Sequence, residues 1–171
     1  MSLPTPPQSH LANINNYSSS FYKIGQPKKG ETIFISAASG AVGQIVGQLA
    51  KREGLTVIGS VGSEEKAQYV KNELKFDHAF NYKTTSNTDA LKRLAPNGID
   101  IYFDNVGGEA LEAALEAANT RARFIECGMI STYNVKSKDE LYLPRNLIQI
   151  VSKRLLIQVF VCFLTLWNVL S

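Results

Sequence analysis

The residues with the clearest chemical potential form a short glycine-rich turn, Ala38-Ser39-Gly40-Ala41-Val42-Gly43. This spacing matches the dinucleotide fingerprint G-x-G-x-x-G, with alanine in place of the first glycine. Gly40 would let the backbone approach a pyrophosphate, and Gly43 would let a following helix pack closely on the preceding strand. The helix N-terminus would add free N–H groups and a partial positive charge. The turn predicts a dinucleotide site, and an ordinary strand-to-helix turn is the alternative.

A second group of residues bears on which dinucleotide would bind. NAD-binding domains usually carry an Asp or Glu about 20 residues after the glycines, where it binds the ribose hydroxyls. Here that strand ends in Ser60-Val61-Gly62-Ser63, without an acid at its tip. Gly62 and Ser63 leave room for a 2′-phosphate, and Lys66 can supply a cation to it. These residues favour NADP(H), provided that Glu64-Glu65 point away; the alternative for Lys66 is a solvated surface lysine.

Two further turns follow apolar runs, at Asp104 to Gly108 and at Cys127-Gly128. Ligands of open α/β sheets bind at the carboxyl ends of strands, so we expect Asn105 and Val106 beside the ribose or nicotinamide. A glycine turn with an Asx hydrogen bond is the alternative. Cys127 is interpreted as a small residue packed against the cofactor, since no histidine lies near it in sequence. The sequence has no Ser-His-Asp pattern, no paired carboxylates and no metal-ligand spacing, so no metal is predicted.

Apolar runs alternate with amphipathic segments from residue 31 onward. The runs predict strands at 32–36, 56–61, 79–82, 99–104, 123–127 and 155–160. Val42, Ile45, Val46 and Leu49 fall on one face of a first helix, and Gly43 and Gly47 form a stripe where that helix would approach the sheet. Further helices are expected at 63–73, 89–95 and 109–118, and 130–152 as a long connection with one helical turn. This alternation predicts an α/β fold: a doubly wound parallel sheet of the Rossmann nucleotide-binding type.

Composition narrows the function classes. The chain has 171 residues, 44% of them hydrophobic, which suits one globular domain. Its net charge of +3, from 18 basic and 15 acidic residues, is too small and too dispersed to indicate nucleic-acid binding. Two cysteines cannot build a disulfide scaffold or a structural zinc site. The N-terminus does not resemble a signal peptide, so a cytoplasmic location is expected.

The predicted organisation has three parts. Residues 1–29 form a loop or partly disordered segment with a short helix near 21–24, residues 30–161 form the NADP-binding domain, and residues 162–171 form an atypical apolar tail. The uncharged run 155–170 is shorter than the roughly 20 residues of a membrane helix. A strand followed by an apolar tail is therefore preferred, and a membrane-tethered fragment is the alternative.

A family resemblance rests on motifs spread from about residue 17 to residue 160. They are Gly30-Glu31-Thr32, Ala37 to Gly43, Gly62 to Lys66, Phe80-Asn81-Tyr82-Lys83, Tyr102 to Gly108 and Cys127 to Asn134. In this order they resemble the medium-chain dehydrogenase/reductase superfamily. Within it, they are similar to the zinc-independent, NADP-dependent alkenal double-bond reductases, the group of prostaglandin reductase and leukotriene hydroxydehydrogenase.

The resemblance implies NADPH-dependent reduction of the carbon–carbon double bond of α,β-unsaturated aldehydes and ketones. Hydride would go to the β-carbon and a proton to the α-carbon. The resemblance also implies contacts to the pyrophosphate from Ala41, Val42, Gly43 and Gln44, and contacts to the 2′-phosphate end from Lys66 and Tyr82. The nicotinamide side would be lined by Cys127, Gly128, Met129, Ile130, Ser131 and Tyr133, with Phe160 and Val161 on the next strand. Tyr133 would be the proton relay, through its phenol.

Other implications concern what lies outside this sequence. Members of the family have two domains and about twice this length, so the chain would be the cofactor-binding half. The resemblance also implies a homodimer joined through the last strand. The abrupt change after Val161 suggests a truncated gene product. The alternatives are a catalytically inactive NADP-binding fragment and a quinone reductase-like oxidoreductase.

Overall fold

A computed structural model of the chain describes residues 18–135, 137 and 140–160. Six strands form one parallel sheet: β1 (Thr32–Ile35), β2 (Thr56–Val61), β3 (His78–Asn81), β4 (Ile99–Asp104), β5 (Ala118–Glu126) and β6 (Leu156–Val159). The helices are α1 (Ala41–Arg52), α2 (Glu64–Asn72), α3 (Asn87–Leu94), α4 (Gly108–Ala117) and α5 (Ile148–Ser152). Val161 and the predicted tail at 162–171 lie outside the described residues, as does most of the predicted N-terminal segment.

The sheet has the strand order β3-β2-β1-β4-β5-β6, and all its neighbouring strands are parallel. This is the order of the doubly wound Rossmann fold, so the predicted fold class is confirmed. The order reverses between β1 and β4, and a crevice for ligands opens at that point, at the carboxyl ends of the strands. The predicted strands and helices are present, with ends that differ by a few residues; β5 is the exception, since it begins at Ala118.

Alternating strand residues build two apolar layers, one on each face of the sheet. Ile33 and Ile35 of β1 lie in the layer covered by α1 and α2. Phe34, between them, lies in the layer covered by α3 and α4. There its ring stacks on that of Tyr102 at 5.1 Å between centroids. These layers fix the strands in register, because a slip by one residue would exchange the two faces.

A short π-helical turn at Phe21–Gly25 precedes β1. Its side chains Phe21 and Ile24 are buried in the same layer as Ile125 of β5. An added Cβ on Gly25 would lie 3.2 Å from Ile125 Cδ1, so the turn sits closely on the sheet. The short helix expected near 21–24 is therefore present as this turn, and it contributes to the core.

The buried ring of Phe76 fixes the distance between α1 and the sheet. A Cβ added to Gly47 of α1 would overlap this ring. One added to Gly59 of β2 would lie 3.0 Å from the ring and 2.6 Å from the Ala38 Cβ. The ring thus fills the space that the two glycines leave free. The predicted glycine stripe on the first helix has its physical reason in this contact.

None of the helices in the described part of the chain combines the length and the apolar character that a membrane crossing needs.

We predict that Gly47→Ala lowers the free energy of unfolding by about 1–3 kcal/mol, because the new methyl group overpacks the Phe76 ring. Helix propensity alone would stabilise the chain by up to about 1 kcal/mol, so the two effects differ in sign. Urea unfolding of Gly47→Ala, Phe76→Leu and the double variant measures this. The double variant should be less destabilised than the sum of the single ones. A Gly47→Ala variant that is more stable than the wild type would contradict the close contact between Gly47 and the Phe76 ring.

Candidate functional site

A cavity of about 620 Å³ opens at the carboxyl ends of β1, β2 and β4. It lies at the reversal of strand order, where the fold is expected to bind ligands. Its walls come from the segments that follow five different strands. The predicted site residues that line it are Gly40, Gly62, Lys66, Tyr82, Val106, Ile130 and Ser131. We refer to it as the cofactor cleft.

The glycine-rich turn forms one end of the cleft. Gly43 permits close packing, because a Cβ there would lie 2.7 Å from the Ala37 carbonyl oxygen. Gln44 braces the turn: its side-chain amide donates to the Ser39 carbonyl at 2.7 Å, and its Oε1 accepts from the Tyr69 hydroxyl at 3.2 Å. Ala41 and Val42 begin α1 beside Gly40. The first N–H groups of a twelve-residue helix therefore face the cleft's end of the sheet.

The second wall surrounds the end of β2. Ser63 caps α2, and its Oγ accepts from the Lys66 backbone N–H at 3.3 Å. The Lys66 side chain is exposed and lines the cleft together with Tyr82. The Tyr82 hydroxyl lies over Gly62, where an added Cβ would be 3.3 Å from it. Glu64 accepts a hydrogen bond from Gln68 one turn along α2.

At the end of β4 is a buried carboxylate, Asp104, that the sequence analysis did not select. Its Oδ1 accepts four hydrogen bonds, from Ser36 Oγ at 2.9 Å, the Tyr102 hydroxyl at 2.7 Å, and the N–H groups of Val106 at 2.8 Å and Gly107 at 2.9 Å. Burial, followed by the charge of Asp104, raises the pKa of Tyr102 well above its usual value. The phenol is therefore protonated at neutral pH and donates to Asp104. Asp104 thus joins the ends of β1 and β4 to the turn that follows.

Asn105 is held at the reversal point by β1. Its side-chain amide donates to the Ser36 carbonyl at 2.7 Å, and its backbone N–H donates to Ser36 Oγ at 2.8 Å. An Asx turn, which was the alternative for this segment, is also present, and Asp104 forms it by accepting from the Val106 N–H. The following Gly107 (φ +71°) and Gly108 (φ +56°) start α4 in a backbone region that favours glycine.

The segment after β5 is hydrogen-bonded to the segment after β4 along its length. The Asp104 carbonyl accepts from the Cys127 N–H at 2.8 Å and from the Gly128 N–H at 3.1 Å. The Ile130 N–H donates to the Asn105 carbonyl at 3.2 Å, and the Ser131 N–H to the Val106 carbonyl at 3.1 Å. The two segments therefore form one wall, which we call the paired-loop wall, and it carries eight of the predicted site residues.

Two residues of this wall, Tyr133 and Cys127, and the neighbouring Phe160 do not line the cleft. Tyr133 is 67% exposed, and its hydroxyl accepts from the Met129 N–H at 3.4 Å. Cys127 and Phe160 are half-buried against the layer under α1 and α2. The Phe160 N–H donates to the Glu126 carbonyl at 2.8 Å, at the end of β6. These residues lie outside the lining of the cleft, and the catalytic role of Tyr133 stays a prediction.

Asn87 lines the cleft and was also missed by sequence reasoning. It is the first residue of α3, and its side chain is nearly buried. Its Oδ1 has no hydrogen-bond partner within the described structure. No signal in the sequence separates this asparagine from an ordinary helix-start residue. By contrast, the position of Asp104 directly before an Asn-x-Gly-Gly turn is a signal that could have been used.

Comparison with known proteins identifies the family. The family described as "Zinc-binding dehydrogenase" matches residues 41–164, which is most of the chain. The chain belongs to the zinc-binding dehydrogenase family. The resemblance to the medium-chain dehydrogenases and reductases is thereby confirmed, whereas independence of zinc stays a prediction. Across the described ranges, no three His, Cys, Asp or Glu side chains are grouped so that they could hold a metal ion, so the residues described there do not fit a zinc site.

Two curated relatives and one solved structure illustrate the similarity. The chain is 61% identical over 143 residues to the NADP-dependent oxidoreductase RED1 of Cochliobolus heterostrophus, covering 84% of this chain and 40% of the relative. It is 49% identical over 144 residues to the 2-alkenal reductase (NADP(+)-dependent) of Nicotiana tabacum, covering 84% and 41%. The crystal structure of CurA from Vibrio vulnificus in complex with NADPH has a TM-score of 0.84 and 38% identity, covering 98% of this chain and 51% of that one.

These comparisons bear on two of the expectations. The names of the relatives and the NADPH complex agree with NADP(H) as the cofactor of this family branch. The chain spans about two fifths of the length of the curated relatives that it matches. The described residues of this chain form a Rossmann-type parallel sheet.

We predict that Ser36→Ala lowers the free energy of unfolding by about 1–3 kcal/mol. The buried hydroxyl both donates to Asp104 and accepts from Asn105, and its loss leaves one buried donor without a partner. Ser152→Ala is the control, because its exposed hydroxyl bonds only within its own turn. That variant should stay within about 0.5 kcal/mol of the wild type. Equal urea midpoints for the two variants would contradict a stabilising role of the hydrogen bonds that join Ser36 to Asp104 and Asn105.

Proposed function

We propose that the chain binds NADPH in the cofactor cleft and is the cofactor-binding half of a reductase for carbon–carbon double bonds conjugated to a carbonyl group. The observation that carries the proposal is the end of β2. There, small residues and the lysine at 66 line the cleft at the place where an NAD-binding domain would carry an acid. The NADP-dependent names among the relatives support the same cofactor.

The pyrophosphate would lie over the glycine-rich turn. Gly40 carries no side chain that would hinder its approach, and the N–H groups at the start of α1 would bind its oxygens. Ala41, Val42 and Gly43 contribute these N–H groups. Gln44 acts indirectly, because both ends of its carboxamide hold the turn in shape.

The 2′-phosphate would bind at the end of β2. Lys66 lines the cleft there, and Tyr82 lies across Gly62. A lysine ammonium provides charge and hydrogen-bond donors for a phosphate. Asn87 fits an adenosine group at this end of the cleft as well, because its nearly buried Oδ1 lacks a donor within the described chain.

The nicotinamide end would lie along the paired-loop wall, beside Asn105 and the segment from Cys127 to Tyr133. When bound, NADPH supplies the hydride for the reduction. Asn105 and Ser36 keep the ends of β1 and β4 in fixed relation, and this wall orients the ring. The Tyr133 phenol is the group that we assign to relaying a proton.

The substrate class follows from the relatives rather than from the cleft. The relative from Nicotiana tabacum is named a 2-alkenal reductase, and we extend that class to the α,β-unsaturated aldehydes and ketones. The chain itself supplies the cofactor half of such a site.

A homodimer through β6 is part of the proposal, since Leu156 and Val159 of this edge strand are exposed.

Fluorescence titration with NADPH, and in parallel with NADH, tests the cofactor assignment. The wild type should bind NADPH more tightly, and Lys66→Ala should lose roughly 10- to 100-fold of its NADPH affinity with little change for NADH. Lys71→Ala, an exposed lysine at the other end of α2, is the matched control and should bind like the wild type. Equal affinities for the two cofactors, or loss in the control alone, would contradict the assignment.

Oxidation of NADPH in the presence of a 2-alkenal, followed by absorbance, then tests the reaction. Turnover that falls in Tyr133→Phe with unchanged NADPH binding would support the relay role. NADPH binding without any turnover would identify the chain as an inactive NADP-binding fragment. Turnover with a quinone but not with a 2-alkenal would favour the quinone reductase-like alternative.

A further inference from the structure

The carboxyl groups of Asp104 and Glu126 lie side by side at the ends of neighbouring strands. Asp104 of β4 and Glu126 of β5 are direct partners in the parallel register. Both side chains point to the same face as Tyr102, since side chains alternate along a strand. The pair sits at the base of the paired-loop wall, immediately before Asn105 and Cys127.

One oxygen of each carboxyl lacks a hydrogen-bond donor. Asp104 Oδ1 accepts four hydrogen bonds, whereas its buried Oδ2 accepts none from the described residues. The buried Oε1 of Glu126 likewise has no partner there. Two ionised carboxylates can only accept, so neither could satisfy the other. A single proton between them would satisfy both, and it would leave one negative charge on the pair instead of two.

We propose that Glu126 carries this proton at neutral pH and donates a hydrogen bond to Asp104 Oδ2. Glu126 would thus be a positioning residue for the cofactor cleft, acting through Asp104. The effect of Glu126 on cofactor affinity rests on the proposed function, whereas the proton shared by Glu126 and Asp104 does not.

The asymmetry between the two carboxyls decides which of them holds the proton. Asp104 Oδ1 already accepts hydrogen bonds from four donors. Among the described residues, Glu126 has no comparable set of donors. Burial first, and then the negative charge of Asp104, raise the pKa of Glu126 to about 8.

The described elements packed around the pair contribute the following titratable or polar groups. Tyr102 on β4 is a neutral donor, and β6 carries only Leu, Ile, Gln and Val. The segment after β5 contributes Cys127 and Tyr133. Helix α4, which packs on β4, carries three glutamates, Glu109, Glu112 and Glu116. Lys153 donates to carbonyls at the C-terminal end of α4. The raised pKa of Glu126 arises from burial and from Asp104, not from these groups.

The direction of the pH dependence follows from proton binding. Between the pKa of an unfolded glutamate, 4.5, and about 8, the folded chain holds a proton that the unfolded chain has released. Stability from this group is therefore full at low pH and is lost as the pH rises through that window. Above about pH 8, two negative charges face each other beneath the wall.

Two measurements on the full chain test the proposal. Urea unfolding is followed between about pH 5 and about pH 9.5, and NADPH binding is measured in the upper half of that pH range. The wild-type urea midpoint should fall relative to Glu126→Gln as the pH rises to about 8, because the amide keeps a donor for Asp104 at every pH. The NADPH affinity of the wild type should fall about fivefold or more around pH 8, and that of Glu126→Gln should stay level. Glu73→Gln, an exposed glutamate at the end of α2, is the control and should follow the wild type.

Carbon-13 NMR of chain labelled at the glutamate carboxyls observes the proton directly. One carboxyl should titrate near pH 8 and be missing from Glu126→Gln. If that variant fails to fold, the wild-type titration still decides. Glutamates that all titrate below about pH 6 would overturn the proposal, as would matching pH profiles of the wild type and Glu126→Gln. Absence of NADPH binding at every pH would instead contradict the proposed function, and leave the NMR result to judge the shared proton.

Discussion

The cofactor cleft depends on one buried carboxylate, Asp104. Four donors converge on its Oδ1, from Ser36 directly after β1, from Tyr102 in β4 and from the turn after β4. Its backbone carbonyl accepts from Cys127 and Gly128 after β5. Three strand ends are thereby held in fixed relation at the point where the strand order reverses. A buried acceptor of this kind is costly unless it is satisfied, so the surrounding backbone is constrained to supply the donors. The shape of the cleft follows from that constraint.

The rest of the molecule brings these strand ends together. Alternating apolar residues place one layer on each face and set the register of β1, β4 and β5. The Phe76 ring, between Gly47 and Gly59, sets how near α1 comes to the sheet. That distance determines where the first turn of α1 meets the glycine-rich turn. Packing well below the cleft therefore determines whether a pyrophosphate could be held above it.

The sequence predicted the fold because periodicity and turn glycines act locally. Gly43 and Gly47 were assigned to close packing from their spacing, and each meets a neighbour that leaves no room for a Cβ. Lys66 and Tyr82 were placed at the cleft by motif, and both line it. Asp104, Glu126 and Asn87 were not selected. Their environment arises from the register between strands and from where α3 begins, which depend on contacts distant in sequence.

Amide hydrogen exchange of the full chain with and without NADPH tests most directly whether the cleft acts as one site. The account predicts that NADPH slows exchange together in residues 37–44, 104–108 and 127–133, because the paired-loop wall and the glycine-rich turn enclose the same cavity. Protection confined to the opposite edge of the sheet, around the polar cavity at Asp100, Arg121 and Arg123, would contradict it. So would protection of the glycine-rich turn without the wall.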